Sequence, residues 1–322
     1  MISWEHPIEV LLQPYLRQKI RDEASLTRFW SLQRSYSGIV RQLSGNKLVM
    51  AAPDESGPSV RKYAWDRWVA ELRTAFKGGV PLNFLDQPVL RHTMVYQRRR
   101  GIQATRARLA IVQSIFSEAE ARLLLREDYL GLPTITSVHH LTSANRSHHA
   151  AHLAAYTRTK GKRLWDSDSI LEWGGGYGNM ARIIRRLNPG VTYTIVDLPE
   201  LLALQYVYLS SLEGDGAVRI IGTEDNPVIE PRRINLLTPE VALRGAAAMR
   251  SDVFLSTWAL TESPVAYQRR VIELDFFNAS AILMAAMKDK ENELDASLNA
   301  SVHRTPLPTS MGLPEGNEYW CR

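Results

Sequence analysis

The chain has 322 residues, 45% of them hydrophobic, and a formal net charge of +5 at pH 7. That length and composition are enough to bury a substantial core and to form two domains, as in an ordinary globular protein. The longest uninterrupted apolar run, Ala281–Met287, is far short of the roughly 20 residues that a membrane-spanning helix needs. The first residues lack the basic and apolar pattern of a secretion signal, and we expect a cytoplasmic protein with no membrane span.

The cysteine count and the charge distribution exclude or disfavour several kinds of site. Cys321 is the single cysteine, so an internal disulfide and a cysteine zinc site are excluded. Residues 1–165 hold 25 Lys and Arg against 13 Asp and Glu, whereas residues 166–322 hold 14 against 21. Because the basic excess is spread over helical segments, apart from Arg98–Arg100, nucleic-acid binding is disfavoured. A mildly anionic substrate or docking between the two halves explains the asymmetry equally well.

Residues 1–165 are predicted to form a mostly helical region. Apolar residues at three- and four-residue spacing indicate a helix between Pro7 and Ser35. The prolines and glycine within Lys47–Pro58 are typical of a loop. Further helices are predicted over Val60–Phe76, Val89–Arg99 and Ile102–Arg126.

A cluster of histidines follows these helices: five of the eight, namely His139, His140, His148, His149 and His152. On a helix that starts near Ser143 to Asn145, His148, His152 and Tyr156 would share one face. Imidazole is the commonest metal ligand, but no carboxylate between Thr134 and Leu164 completes a ligand set, so no metal is predicted. The remaining alternatives are packing at a domain interface and contact with a substrate or cofactor.

From Ser169 onward strands alternate with helices, which predicts an α/β domain over residues 166–322. We expect a Rossmann-like, mainly parallel sheet with an antiparallel edge formed by Ala300–Pro308 and Glu318–Arg322. The other predicted strands are Ser169–Glu172, Val191–Val196, either Val218–Ile221 or Ile234–Leu237, Val253–Ser256 and Ala281–Ala285. The predicted helices between them are Gly178–Leu187, Glu200–Leu212, Pro239–Met249 and Val265–Phe276.

The first of these strands runs into a glycine-rich stretch, Glu172-Trp173-Gly174-Gly175-Gly176-Tyr177-Gly178. Glycine alone permits both positive φ and close approach of a ligand to the backbone, and the helix that follows offers free N–H groups. Asp197 lies 19 residues after Gly178, at the end of the second strand, where a carboxylate accepts hydrogen bonds from ribose hydroxyls. The pattern indicates a bound nucleoside.

Two residues decide which nucleoside is favoured. A nicotinamide dinucleotide fingerprint requires a small residue where this chain has Asn179. Glu172, two residues before the first glycine, is unsuited to a pyrophosphate and suits the ammonium end of an amino acid. An acid, a glycine loop and a second acid together favour S-adenosylmethionine (SAM).

The spacing Glu172-x-Gly174-x-Gly176-x-Gly178, followed by Val196-Asp197-Leu198-Pro199-Glu200, resembles class I SAM-dependent methyltransferases. Asp197–Leu201 leading to Gln205-Tyr206, and then Asp252–Ser263, is similar to bacterial sugar O-methyltransferases. The resemblance implies methyl transfer from SAM to a hydroxyl of a sugar or glycosylated metabolite. It implies a cofactor site made by Glu172, Gly174, Gly175, Gly176, Gly178, Asp197 and Leu198. The amino-terminal helices would then act as a substrate lid or as the dimerisation element of a homodimer.

A sugar hydroxyl is a poor nucleophile, so a general base is expected to contribute about 10²–10⁴-fold. Glu262 follows the fourth strand at the edge where ligands bind, although an acid in the first turn of a helix is the plain alternative. The histidines with pKa values near neutrality are further candidates: His139, His140, His149 and His152. Glu224 and Asp225 are adenine contacts or turn residues. Methylation of a phenolic or polyketide hydroxyl, and a non-catalytic binding module, are the alternative functions.

Overall fold

The structure is a computed structural model that describes residues 23–45, 60–94, 99–222, 227–287, 302–306 and 317–322. Five predictions lie wholly or partly outside the described residues: the start of the first helix, the loop over Lys47–Pro58, the end of the helix over Val89–Arg99, both ends of the strand over Ala300–Pro308, and the roles of Glu224 and Asp225. Among the helices within those ranges, we find none with the length and apolar character required to cross a bilayer.

Helices dominate the amino-terminal region. Their bounds are α1 Glu23–Leu32, α2 Tyr36–Ser44, α3 Val60–Ala75, α4 Pro88–Thr93, α5 Arg99–Ile115 and α6 Glu118–Leu125. The single helix predicted over Ile102–Arg126 is therefore wrong, because Ser117 begins a new helix. The Ser117 hydroxyl oxygen accepts from the Glu120 N–H at 3.3 Å, and the Ser117 N–H donates to Glu120 Oε2 at 3.0 Å, the reciprocal pair of a capping box.

A short antiparallel hairpin, β1 Ile135–Ser137 and β2 Thr142–Ser143, leads into the histidine-rich helix α7, Ala144–Lys160. The predicted start of this helix is confirmed. Ser143 is its N-cap, with a side-chain oxygen that accepts from the Arg146 N–H at 3.0 Å, and Gly161 ends it with φ of 64°.

The α/β part of the chain is built on one large sheet. Its strands are β3 Ser169–Trp173, β4 Thr192–Val196, β5 Val218–Ile220, β6 Ile234–Leu237, β7 Val253–Thr257, β8 Ala281–Met287, β9 His303–Pro306 and β10 Asn317–Cys321. Within the described ranges the strand order is β5-β6-β4-β3-β7-β8-β10-β9. The pairings from β5 to β8 are parallel and β10 is antiparallel to β8 and β9. The predicted Rossmann-like sheet with an antiparallel carboxyl-terminal edge is confirmed.

Both segments that competed for the third strand position are strands. Ile234–Leu237 pairs with β4, and Val218–Ile220 pairs with Ile234–Leu237 at the edge of the sheet. The register places Trp173 opposite Val196, and Val196 opposite Leu237. The carboxyl ends of β3, β4 and β6 are therefore level, which brings the residues that follow them to one edge of the sheet.

Four helices lie between or after the parallel strands: α8 Asn179–Leu187, α9 Pro199–Glu213, α10 Pro239–Arg244 and α12 Val265–Glu273, with a short helix α11 Ala259–Glu262 before α12. The predicted helix over Pro239–Met249 ends early, at Arg244, and the segment Asp275–Asn278 forms a turn with left-handed φ of 44–59°. Thr238 caps α10, its side chain accepting from the Val241 N–H.

Alternate strand residues divide the core into two layers, as the two-residue period of a strand requires. Ile170, Tyr193 and Leu255 pack on one face, while Leu171 and Phe254 pack on the other. The first face is covered by α7, α8 and α9 and shares one continuous apolar cluster with residues of the amino-terminal helices, among them Phe29, Tyr36, Phe76 and Phe84. Both faces of the parallel sheet are therefore buried. The amino-terminal helices pack on the side of the face formed by Ile170, Tyr193 and Leu255.

Candidate functional site

The site lies at the carboxyl end of β3, where the chain order of the strands reverses. β4 pairs with one side of β3 and β7 with the other. Ligands of open α/β sheets bind in the crevice outside the strand ends at such a point. The two segments that border it are the loop Gly174–Gly178, after β3, and the segment Trp258–Glu262, after β7.

The glycine loop has a backbone that other residues rarely adopt. φ is +81° at Gly174, +60° at Gly176 and +95° at Gly178. A Cβ atom at Gly174 would lie 1.9 Å from the Ala259 Cβ, and one at Gly176 would lie 3.2 Å from the Met94 sulfur. Glycine is therefore required both by conformation and by the closeness of two other segments.

Asp197 contacts this loop directly. Asp197 Oδ2 accepts from the Gly176 N–H at 3.1 Å and from Gln205 Nε2 at 2.8 Å, and Oδ1 accepts from the Leu198 N–H at 2.8 Å. Burial raises the pKa of Asp197 to about 7, although these hydrogen bonds act to lower it. The structure thus brings together the glycine loop and the acid predicted to bind beside it.

Glu172 lies beneath the same loop and is 1% exposed. Its Oε2 accepts from the Tyr193 hydroxyl at 2.9 Å. Burial raises the pKa of Glu172 to about 8; the Tyr193 hydrogen bond lowers it, and the charge of Asp197 raises it further. Among the described residues neither Glu172 nor Asp197 forms a salt bridge, so the site holds two buried acids without a counter-charge.

Two side-chain amides beside the loop have hydrogen-bonding capacity that nothing in the described part of the chain uses. Gln205 Oε1 and Asn179 Oδ1 are buried without a partner, and both residues are 0% exposed. Each atom is an acceptor, so a ligand that pairs with them must bring N–H or O–H donors. Together with the two acids, these atoms fit a cationic, hydroxyl-bearing cofactor.

On the other side of the crevice, Trp258 follows β7 with φ of 78° and ψ of −38°. This strained conformation turns the chain into α11, at the end of which Glu262 is half-buried. Glu262 Oε2 accepts from Trp65 Nε1 at 3.1 Å. Trp65 belongs to α3, so an amino-terminal helix reaches the predicted base.

The histidines divide into three groups. His149 lies beside the glycine loop, with Nδ1 3.0 Å from Asn179 Nδ2, and burial, with the charges of Arg146 and Arg108, lowers its pKa to about 3. His140 lies in the turn of the hairpin, with Nε2 3.4 Å from Gln113 Nε2 on α5. The contacts described for His139 and His140 do not include the glycine loop.

His148 and His152 form a buried chain of hydrogen bonds. His152 Nε2 is 2.9 Å from His148 Nε2, and His152 Nδ1 is 2.6 Å from the Tyr319 hydroxyl. The His148 ring stacks on Trp258, with centroids 6.3 Å apart and planes at 19°. Burial lowers the pKa of both histidines well below the usual value. This pair matches the alternative of packing between the helical region and the sheet.

Several residues of the site were not predicted. Tyr193 is two positions from Ile195, the register partner of Glu172, and strand alternation places it on the same face, so that signal was available. Trp65 and Tyr319 contact residues 197 and 167 positions away in the chain, and no local pattern indicates such pairs.

Comparisons with known proteins return structures but no sequence family. No protein-family model matches the chain, and no curated protein matches it. Among solved structures, the SAH-bound Podospora anserina methyltransferase PaMTH1 is 12% identical, with 83% of this chain and 98% of that chain covered and a TM-score of 0.34. Human N-acetylserotonin methyltransferase in complex with SAM is 12% identical, with coverages of 100% and 99% and a TM-score of 0.31.

The plantazolicin methyltransferase BpumL in complex with SAH is 16% identical, with 68% of this chain and 96% of that chain covered and a TM-score of 0.32. At such scores the structures are similar to this chain only in outline. The fold is therefore assigned from the strand order and pairing of the chain itself.

Proposed function

We propose that the chain is a SAM-dependent methyltransferase that transfers a methyl group to a hydroxyl of a sugar or glycosylated metabolite. One observation carries the proposal: Glu172 and Asp197, two buried acids without a counter-charge, flank a loop with three positive-φ glycines at the carboxyl ends of adjacent strands. Such a pair is costly without a ligand. A ligand with an ammonium and vicinal hydroxyls offsets that cost.

In this proposal Glu172 binds the ammonium of SAM and Asp197 the ribose hydroxyls, while Gly174–Gly178 gives the cofactor close access to the backbone. When bound, SAM would supply an electrophilic sulfonium methyl group to the acceptor hydroxyl. The residues around the loop hold the two reactants in line, an orientation effect that accounts for much of such a rate enhancement.

Glu262 is the proposed general base, which takes the proton of the acceptor hydroxyl. Its place after β7 and its bond from Trp65 put a carboxylate at the border of the crevice. The low pKa of His149 makes it a weak proton acceptor, and we assign it a contact role beside the loop. We leave His140 out of the proposed site because its contacts are with α5 and α6.

We propose further that residues 1–165 form the lid of this site. Four contacts support that role: Met94 beside Gly176, Trp65 on Glu262, Phe84 against the Tyr177 ring at 6.1 Å, and Asn145 Nδ2 donating to the Tyr177 hydroxyl at 3.1 Å. Each joins the helical region to a residue of the crevice.

The test has two stages. Calorimetric titration with SAM is expected to show one site per chain, and transfer of labelled methyl to a panel of saccharides, nucleotide sugars and phenols identifies the acceptor. Absence of heat and of a thermal shift with SAM would refute the proposal. Transfer to phenols alone would change the proposed acceptor from a saccharide to a phenol. Glu262→Gln is expected to retain SAM binding and to lower the rate of methyl transfer about 10²–10⁴-fold. His149→Asn is expected to retain most of the methyl-transfer activity.

A further inference from the structure

Three aromatic side chains of the amino-terminal helices form a connected group that reaches Glu262 through Trp65. Trp65 and Trp68 of α3 pack edge to face, with centroids 5.1 Å apart and planes at 87°. Trp68 also packs on His92 of α4, at 5.6 Å and 61°. Trp65 and Trp68 are half-buried and His92 is exposed, so protein covers these rings only in part. Trp65, Trp68 and His92 are called the aromatic wall below.

Contacts at both of its ends fix the aromatic wall to the candidate site. At one end, Trp65 Nε1 donates to Glu262 Oε2 at 3.1 Å. At the other, Met94 follows His92 by two residues and lies against Gly176. The wall therefore connects the proposed base with the segment that packs against the glycine loop.

The aromatic wall and the Glu262 carboxylate together favour a particular kind of ligand ring. Aromatic faces carry partial negative charge and attract polarised C–H groups, while a carboxylate accepts hydrogen bonds from hydroxyls. A pyranose presents both: a face of C–H groups and a rim of hydroxyls. Indole planes at 87° form a corner, which can contact a puckered ring on its face and its edge.

We infer that the aromatic wall binds the acceptor as a pyranose ring, with its C–H face on the two indoles and its hydroxyl rim at Glu262. The inference rests on the proposed function, since it places the acceptor of that same reaction. Trp65 then has two tasks. Its ring contacts the acceptor, and its N–H positions the carboxylate that takes the proton.

Saturation-transfer difference NMR on the full chain with SAH tests the inference directly. The probes are the methyl pyranosides of glucose, galactose, mannose and rhamnose, with p-cresol as the flat-ring control. We expect saturation of ring C–H protons of at least one glycoside, and a loss of about fivefold or more in Trp65→Ala and Trp68→Ala. Trp30→Ala is the matched control, because Trp30 is 54% exposed on α1, and it is expected to leave the signal unchanged.

Trp65→Phe separates the two tasks of Trp65, since it keeps an aromatic ring and removes the N–H. With the best glycoside as methyl acceptor, its kcat is expected to fall about tenfold while KM stays within about twofold. Calorimetry with SAH on every variant reports an intact cofactor site and hence folding.

Three results would overturn the inference. Glycoside signals that persist in both alanine variants would show that the ring binds elsewhere. Saturation of p-cresol with none for any glycoside would replace the pyranose with a phenol. An equal loss in Trp30→Ala would make the effect non-specific. Failure of SAH to bind the wild-type chain is a separate result, which would refute the proposed function itself.

Discussion

Two groups of buried charges in this protein differ in how they are compensated. In the first, the buried ion network, Asp128 accepts from Arg146 at 2.9 Å, from Arg182 at 3.0 Å and from Arg186 at 2.7 Å, and Glu127 accepts from Arg146 at 3.2 Å. Burial alone would raise the pKa of Asp128, but the three guanidinium groups hold it well below its usual range.

The second group, Glu172 and Asp197, is more deeply buried than Asp128 and lacks any cation among the described residues. Its pKa values are raised to about 8 and about 7, the opposite direction from Asp128. An acid that is paired with arginines stays ionised in the folded chain, whereas an acid without a cation is held partly protonated near neutral pH, and a cationic ligand favours its ionised form. The ion network therefore joins α7 to α8, and the acid pair is the element that we propose binds the cofactor.

The largest expected effect comes from breaking the ion network. Asp128→Asn keeps the shape of the side chain and leaves the buried Arg146 and the part-buried Arg182 and Arg186 without their shared anion. Removing one partner of a buried ion pair costs about 3–5 kcal/mol, and the free energy of unfolding from urea denaturation measures it.

Glu118→Gln is the matched control for that substitution. Glu118 also pairs with an arginine, Arg122 at 2.7 Å, but the two side chains are 87% and 72% exposed. An exposed pair contributes about 0–1 kcal/mol, so the control should hardly change the stability. Equal losses in the two variants would refute the distinction between structural and exposed ion pairs in this chain.

The glycine loop provides the next effect. Gly174→Ala combines a φ of +81° with a Cβ only 1.9 Å from the Ala259 Cβ, so the loop must move. We expect SAM affinity, measured by calorimetry, to fall about a hundredfold, equivalent to roughly 2.7 kcal/mol. Gly161→Ala shares a positive φ, +64°, and has no atom within 4 Å of the added Cβ. It should lose stability by about 1–2 kcal/mol and keep its affinity for SAM.

Much of this site follows from local patterns in the sequence. The apolar run before Gly174 and the acid at the end of the next strand predict where Glu172 and Asp197 lie, because parallel strands of similar length end at one edge. The Asp197 bond to the Gly176 N–H confirms that these segments meet. The capping box at Ser117 was equally local, yet the apolar periodicity on both sides of it suggested a continuous helix.

Other features depend on contacts that no local pattern specifies. Trp65 meets Glu262 only because α3 packs over the sheet edge, and Asp128 meets Arg182 because α8 returns to the residues before the hairpin. The sign of each pKa shift depends on those partners. Buried acids of both kinds look alike in sequence, and the difference between them appears only in the folded chain.

Substitution of Glu172 tests the acid pair in the same way as Asp128→Asn tests the ion network. Glu172→Gln keeps an acceptor for the Tyr193 hydroxyl and abolishes the charge, so SAM affinity should fall about ten- to a hundredfold, the contribution of a charge-assisted hydrogen bond. Glu240→Gln is a matched control, since Glu240 accepts from the Tyr267 hydroxyl at 2.8 Å on α10. If both variants bind SAM as tightly as the wild type, Glu172 has no part in the cofactor site.

Opposite pKa shifts also predict opposite pH effects on stability. Glu172 titrates near 4.5 when unfolded and near 8 when folded, so the folded state binds more protons in between. The free energy of unfolding of the cofactor-free protein should therefore fall as pH rises through that range, less so in Glu172→Gln. Asp128, lowered from 3.8, contributes stability that is lost as pH falls below about 4. Urea denaturation of the two variants at pH 3 to 9 separates these contributions.

The smallest expected effect concerns a buried group with no net charge, the His148–His152–Tyr319 chain. Tyr319→Phe removes the hydroxyl 2.6 Å from His152 Nδ1, and loss of one neutral buried hydrogen bond costs about 1–3 kcal/mol when its partner stays buried. Tyr36→Phe is the control, because the Tyr36 hydroxyl is buried without a hydrogen-bond partner in the described ranges, and its removal should be neutral or stabilising. Both variants should bind SAM normally, since a chain of neutral groups offers no charge for a cationic cofactor to pair with. Weaker SAM binding in Tyr319→Phe would instead place the histidine chain in the cofactor site and reduce the contrast between the two charged groups.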